Sequence, residues 1–113
     1  MTTLSDEQIY QALIKIANQY ELLECQSCAE AICVWLKQHN INAIHLKIKA
    51  RYTDFIISKR VGGHISIIFN GIHYGTEVRS KVFDNLPDTC LTRQEWLDDF
   101  ECLGGFDIEI YDC

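Results

Sequence analysis

The sequence predicts an α+β fold in which N-terminal helices pack on a mostly antiparallel sheet. Three observations lead there. Apolar residues recur at helical spacing as far as His39, then the period changes to two from about Ala43 onward. Asn70-Gly71, flanked by β-forming runs, is the strongest two-residue hairpin signal a sequence offers. The regular helix–strand alternation of a doubly wound sheet is missing.

Each element has a local cause. Ser5-Asp6-Glu7-Gln8 is a capping-box pattern, and Ile9, Ala12, Leu13, Ile16, Ala17 and Tyr20 follow on one helical face, predicting a helix over 6–20. Ser27 with Glu30 reads as a second box, with Cys28 the first helical residue and Cys28, Ala31, Ile32, Trp35 and Leu36 as the buried stripe. That helix runs to about His39, where Asn40 supplies a stop. Ile44, Leu46 and Ile48 alternate with His45, Lys47 and Lys49 as a half-buried strand, and a short strand is expected over 55–58. Val61-Gly62-Gly63 is a hinge or bulge leading to strands over 64–69 and 72–78, and Arg79-Ser80 turns the chain into a strand over 81–84. Thr92 with Glu95 is a third box, opening a helix with Trp96, Leu97 and Phe100; Gly104-Gly105 ends it, and Phe106, Ile108 and Ile110 alternate as the last strand.

With 113 residues, one proline, six glycines and no internal repeat, residues 1–113 read as a single domain. Such a chain buries roughly two-thirds of its unfolded surface without covalent help. No apolar run approaches the ~18 residues needed to span a bilayer. A formal charge of −6 argues against nucleic acid as a partner, since phosphate binding wants a surplus of lysine and arginine. The stretch from Met1 to Glu7 lacks the basic region and apolar core of a signal peptide, so the expected location is cytoplasmic, or outside by an export route that leaves no N-terminal mark. On the same grounds the cysteines at 25, 28, 33, 90, 102 and 113 read as free thiols in a reducing compartment.

A thiol in the first turn of a helix sits at the positive end of the macrodipole beside unpaired N–H groups, and both favour the nucleophilic thiolate. This makes Cys28 the candidate nucleophile. A nucleophilic cysteine needs a base within hydrogen-bond reach and a third group to fix that base. His39 ends a helix, where a cation suits the dipole, and His45 alternates with lysines. His64, at a strand mouth after two glycines, is the better base, with His73 as the fallback. Tight turns at Asn70-Gly71 and Arg79-Ser80 would set His64 opposite Glu77 and Glu77 opposite Val82, so His64, Glu77 and Asp84 would share one face. The third member stays open on that count.

Cys25-Gln26-Ser27-Cys28-Ala29 resembles the C-x-S-C-aromatic motif of papain-like cysteine peptidases, in which the second cysteine attacks. Gly63-His64-Ile65-Ser66 is similar to that class's strand-borne histidine, and a strand-end Asp or Asn completes the order. Over about residues 20–100 the chain more closely resembles the papain-fold toxin domains of bacterial polymorphic toxin systems. It shares Cys25-x-x-Cys28-Ala29 before an Ala/Ile/Trp/Leu helix, Gly62-Gly63-His64, Val82-Phe83-Asp84-Asn85-Leu86 and a Glu95-Trp96-Leu97 helix. The resemblance implies a papain-like fold, a Cys28–His64–Asp84 triad with Asp84 preferred over Glu77 or Asn85, and a protein substrate attacked through an acyl-enzyme by a peptidase or deamidase. It also implies a cognate immunity protein as a partner. No cofactor or metal is called for. Two departures stand out: residue 29 is Ala where the peptidases carry Trp, and Leu22 stands six residues before Cys28, where they place a glutamine oxyanion donor. Gln19 and Gln26 are the nearby glutamines.

Three other readings compete. Cys25-x-x-Cys28 before a helix is also a thiol–disulfide oxidoreductase signature, in which Cys25 attacks. A zinc site would use the same pair, though Cys90 and Cys102 form no second close pair. A non-catalytic binding or regulatory domain would simply bury its cysteines, among the most buried of residue types.

Overall fold

A computed structural model describes residues 3–113; Met1 and Thr2, part of the stretch read for an export signal, lie outside the described residues. The elements are α1 (Asp6–Ala17), α2 (Cys25–Gln38), β1 (Ile44–Ala50), β2 (Ile56–Ser58), a 3-10 turn (Lys59–Val61), β3 (Ser66–Ile68), β4 (Ile72–Val78), β5 (Lys81–Phe83), α3 (Arg93–Asp98), β6 (Phe100–Glu101) and β7 (Phe106–Asp112). This is the expected α+β architecture. Strands β5-β4-β1-β7 form one antiparallel sheet, and β3-β2-β6 a second, smaller one.

Two of the three capping boxes form. Ser5 with Gln8 opens α1 and Thr92 with Glu95 opens α3, each with both reciprocal bonds. The Ser27–Glu30 box does not. Glu24 is the N-cap of α2, and its carbonyl accepts the Cys28 N–H at 3.0 Å as the first bond of the helix. Glu24 and Glu21 have already made a tight turn: the Glu21 N–H donates to the Glu24 carboxylate at 2.7 Å, and the Glu24 N–H to the Glu21 carbonyl at 3.1 Å. Leu23 in that turn has φ of 75°, an uncommon conformation for leucine. The turn starts the helix three residues early, so Cys25 takes the first helical position and Cys28 moves round to the buried face.

The hairpin at Asn70-Gly71 is likewise displaced. A bend occurs there, but β3 pairs with β2, and β4 pairs with β1 and β5. Ile44, not His64, lies opposite Glu77. Ser66 explains part of this: its hydroxyl donates to the Ile56 carbonyl and accepts the Ile56 N–H, both at 3.1 Å, fastening β3 to β2. The Arg79-Ser80 turn does form, with both residues at positive φ, and sets Glu77 opposite Val82.

Helices α1 and α2 cover one face of the large sheet, with Ile9, Leu13, Cys28, Ile32, Leu36, Val78 and Phe83 packed together. The other face meets the small sheet and α3 through Leu46, Ile48, Ile56, Ile67, Val82, Trp96 and Phe100. Cys33 of α2 is joined to Cys113, just beyond β7, by a disulfide. The expectation of six free thiols is therefore corrected: four remain, Cys25, Cys28, Cys90 and Cys102. Eighty residues of separation hid the pair, because only folding β7 against β1 brings the chain end back over α2. Among the described residues no helix is long and apolar enough to cross a membrane.

Candidate active site

Strand β5 pairs with β4 along Thr76–Val78, which leaves the Ile72–Gly75 half of that β4 edge open. The N-terminus of α2 fills the gap. Cys25 lies there with its sulfur 3.8 Å from the Ile72 carbonyl oxygen, beside the backbone N–H groups of Tyr74 and Gln26 and the ring of His73. Burial works against ionising this thiol. The neighbouring His73 ring, together with the two backbone N–H groups, outweighs it and brings Cys25 below the ordinary thiol value.

His73 is fully enclosed on β4, opposite Ile48, between the rings of Trp96 and Phe100 at 6.0 and 5.0 Å. Its Nε2 meets Asp84 Oδ2 at 3.1 Å. Nδ1 has no hydrogen-bond partner, and it is the ring nitrogen left for the Cys25 side. Burial disfavours the imidazolium, but Asp84 and Cys25 overcome this and raise His73 to about 9. A thiol shifted down beside an imidazole shifted up is the direction that favours moving a proton from sulfur to the ring.

Asp84 follows β5 directly. Burial alone would favour its neutral form, yet His73 and Arg60 hold the carboxyl well below the usual range. Trp96 Nε1–H donates to Oδ2 at 2.8 Å, and the Arg60 guanidinium spans both oxygens at 2.9 and 2.7 Å. The loop that carries Asp84 is buckled onto the turn before α2, since the Asn85 side-chain amide donates to the Glu21 carbonyl at 2.7 Å. Glu77 lies elsewhere, held by Arg93 at 2.6 and 3.1 Å.

A cavity of about 310 Å³ opens beside the sulfur, lined by Leu23, Cys25, Gln26, Ile68, Phe69, Asn70, Ile72 and Tyr74. Leu23 and Phe69 are more than half exposed on it. Residues 8–101 of the chain match a family described as papain fold toxin 2. The chain belongs to this family. No curated protein and no solved structure matches it.

In this papain-fold toxin domain the structure brings together Cys25, His73 and Asp84, so of the Cys28–His64–Asp84 set expected from the sequence only Asp84 is in this cluster, and it meets His73 in place of His64. Cys28 is fully buried against α1, and burial, with the charges of Asp84 and Cys25, pushes its thiol up to about 12. His64 is exposed on the segment before β3, and no hydrogen bond links it to Cys28. The expected Cys28–His64 pair does not form, because the helix starts early and β3 pairs away from β4. Two signals in the sequence point to the residues missed. Gln19 stands six residues before Cys25, the spacing found wanting for Cys28. The Arg79-Ser80 turn, which is real, sets 73, 75 and 77 on the same face as 82 and 84, so the same parity that was applied to His64 unites His73 with Asp84. Among the described residues no group of three or more His, Cys, Asp or Glu side chains could hold a metal ion.

Proposed function

We propose that this toxin domain is a cysteine hydrolase acting on a protein amide, with Cys25 as nucleophile, His73 as acid–base and Asp84 as the group that orients His73. The observation that carries the reading is His73 held by Asp84 at 3.1 Å with its Nδ1 unpartnered on the Cys25 side, at the mouth of a cavity, the thiol shifted down and the imidazole up. His73 Nδ1 takes the Cys25 proton, and the thiolate attacks the amide carbonyl carbon. The C–N bond breaks, and the amine leaves with the proton that His73 returns to it. Water, deprotonated by His73, then attacks the thioester and regenerates the thiol. Cleavage of a backbone amide is peptidase action; loss of a glutamine or asparagine amide nitrogen is deamidation. The unspent N–H groups at the start of α2 are the natural donors to the oxyanion, since the Cys28 N–H is already committed to Glu24.

Leu23 and Phe69 beside the sulfur suit an apolar side chain next to the scissile amide. The target is a protein of the recipient cell, and the producing cell would need an immunity protein covering this cavity. A dithiol oxidoreductase is disfavoured by Cys28, which is fully buried and strongly resistant to ionisation and so a poor partner thiol.

The test is acylation by p-nitrophenyl acetate followed by peptide mapping. A burst of nitrophenol with one acetyl group on Cys25, absent in Cys25→Ala and His73→Ala but kept in Cys28→Ala and His64→Ala, is expected. An acetyl group on Cys28, or no burst from folded protein, would overturn the assignment.

A further inference from the structure

Arg60 is a buried cation that the relay above does not use. Only 8% of its side chain is exposed, and it lies 5.7 Å over the Phe100 ring. Its two terminal nitrogens grip Asp84, while Nε–H donates to Asp99 Oδ2 at 2.8 Å and its backbone N–H to Asp99 Oδ1 at 3.0 Å. Asp99 is fixed in turn by the Ser58 hydroxyl at 2.5 Å. The 3-10 turn, the end of α3 and the loop after β5 are thus clasped around one guanidinium. Asp84 Oδ2 consequently receives three donors: Arg60, Trp96 and His73.

We propose that Arg60, anchored by Asp99 and Ser58, is a positioning residue that fixes the Asp84 carboxylate toward His73 and, by competing for it, sets the upper pH limit of the Cys25–His73 pair. The inference rests on the function proposed above. A free carboxylate would turn about its χ2 and give its full charge to His73. Bidentate binding by Arg60, with the Trp96 N–H on Oδ2 and the Leu86 N–H and Thr89 hydroxyl on Oδ1, removes the first freedom, and the guanidinium charge dilutes the second. The charged and titratable groups facing this carboxylate are His73 on β4, Cys28 on α2, Arg60 on the 3-10 turn, and Asp99, which reaches it through Arg60; Cys25 faces His73 from α2. Arg60 is the one unfavourable neighbour of a His73 cation among them. With Asp84 Oδ2 at 2.7 Å from Arg60 and 3.1 Å from His73, the two cations stand a few ångströms apart across one oxygen.

The experiment is NMR titration of histidine-labelled protein, with acetylation of Cys25 measured on the same samples. Arg60→Met alone would strand Asp99, so Arg60→Met/Asp99→Asn removes the pair together, and Arg60→Lys keeps the charge while losing the fork. In the double variant the His73 midpoint should rise by about half a pH unit or more, because the cation lost sits directly on Asp84 while the Asp99 anion lost with it lies on the far side of the guanidinium. The Arg60→Lys midpoint should stay near wild type while acetylation slows at least about tenfold, because a point charge cannot align the carboxylate as the fork does. A folded double variant with unchanged midpoint and acetylation rate would overturn the inference while leaving the triad intact. A wild-type His73 that titrates like an exposed imidazole, with no acetylation of Cys25, would overturn the triad and the inference together.

Discussion

Replacing Gly75 by alanine drives a methyl group into the indole that steadies Asp84. Gly75 lies on β4 with an ordinary φ, so the objection is steric and not conformational. An added Cβ would stand 2.7 Å from Trp96 Cζ2, 3.1 Å from Cε2 and 3.0 Å from Val82 Cγ1. Trp96 is fully buried and tied through Nε1 to Asp84 at 2.8 Å, so it cannot swing aside without losing that bond. Overpacking of this kind costs about 1–3 kcal/mol, and a hydrogen bond to a charged group contributes about 1.5–3 kcal/mol, of which part is lost. A total near 3 kcal/mol corresponds to a Tm lower by about 12 °C in a domain of this size. The assay is a double-mutant cycle by urea denaturation, with Trp96→Phe as the second change. Phenylalanine lacks the two indole atoms that Cβ would strike and leaves only the 3.0 Å approach to Val82 Cγ1, so Gly75→Ala should cost under about 1 kcal/mol in that background, a coupling of at least ~1.5 kcal/mol. Additivity within ~0.5 kcal/mol would refute the argument that the glycine exists to seat the indole.

Other consequences can be measured. Reducing Cys33–Cys113, or replacing Cys113 by serine, should destabilise the domain by about 2–4 kcal/mol, because the bridge closes a loop of 80 residues in the unfolded chain; equal urea midpoints with and without reductant would contradict this. Leu23→Ala and Phe69→Ser should raise KM for peptide amides bearing an apolar side chain and leave iodoacetamide reactivity unchanged, since both line the cavity without touching His73. Stability should fall as pH rises through about 9. His73 is raised above its unfolded value, so its contribution is fully present below about pH 6.5 and disappears as the folded-state group loses its proton. Asp84 is depressed, so its contribution is present above about pH 4 and is lost only as acid reaches the folded-state value. His73→Gln should flatten the alkaline limb measured by denaturation at a series of pH values.

What the sequence made legible was whatever its local chemistry decides. Helix α1 and α3 were announced by boxes whose two bonds close within four residues, and β1 by strict alternation. The Arg79-Ser80 turn fixes the face of Asp84 but does not separate it from Glu77; the family resemblance is what singles out Asp84. The start of α2 lies one helical turn before the place the sequence suggests, because Ser27-x-x-Glu30 satisfies the same pattern as a true box, while the Glu21–Glu24 turn that wins has no such signature. His64 reads as the base because two glycines set it at a strand mouth, and Asn70-Gly71 implies a hairpin that would bring it opposite Glu77; the partner of β4 is instead β1, more than twenty residues upstream, and that choice is tertiary. The Cys33–Cys113 bond depends on the same long-range pairing.

The central claim is that Cys25, activated by His73, is the nucleophile. The most direct measurement is the pH dependence of iodoacetamide alkylation of the folded protein, with mass spectrometry locating the label. Cys25 should react well below pH 8, and that reactivity should vanish in His73→Ala while persisting in His64→Ala; Cys28 should stay unlabelled until the protein unfolds. Labelling of Cys28 first, or Cys25 reactivity indifferent to His73→Ala, would contradict the account.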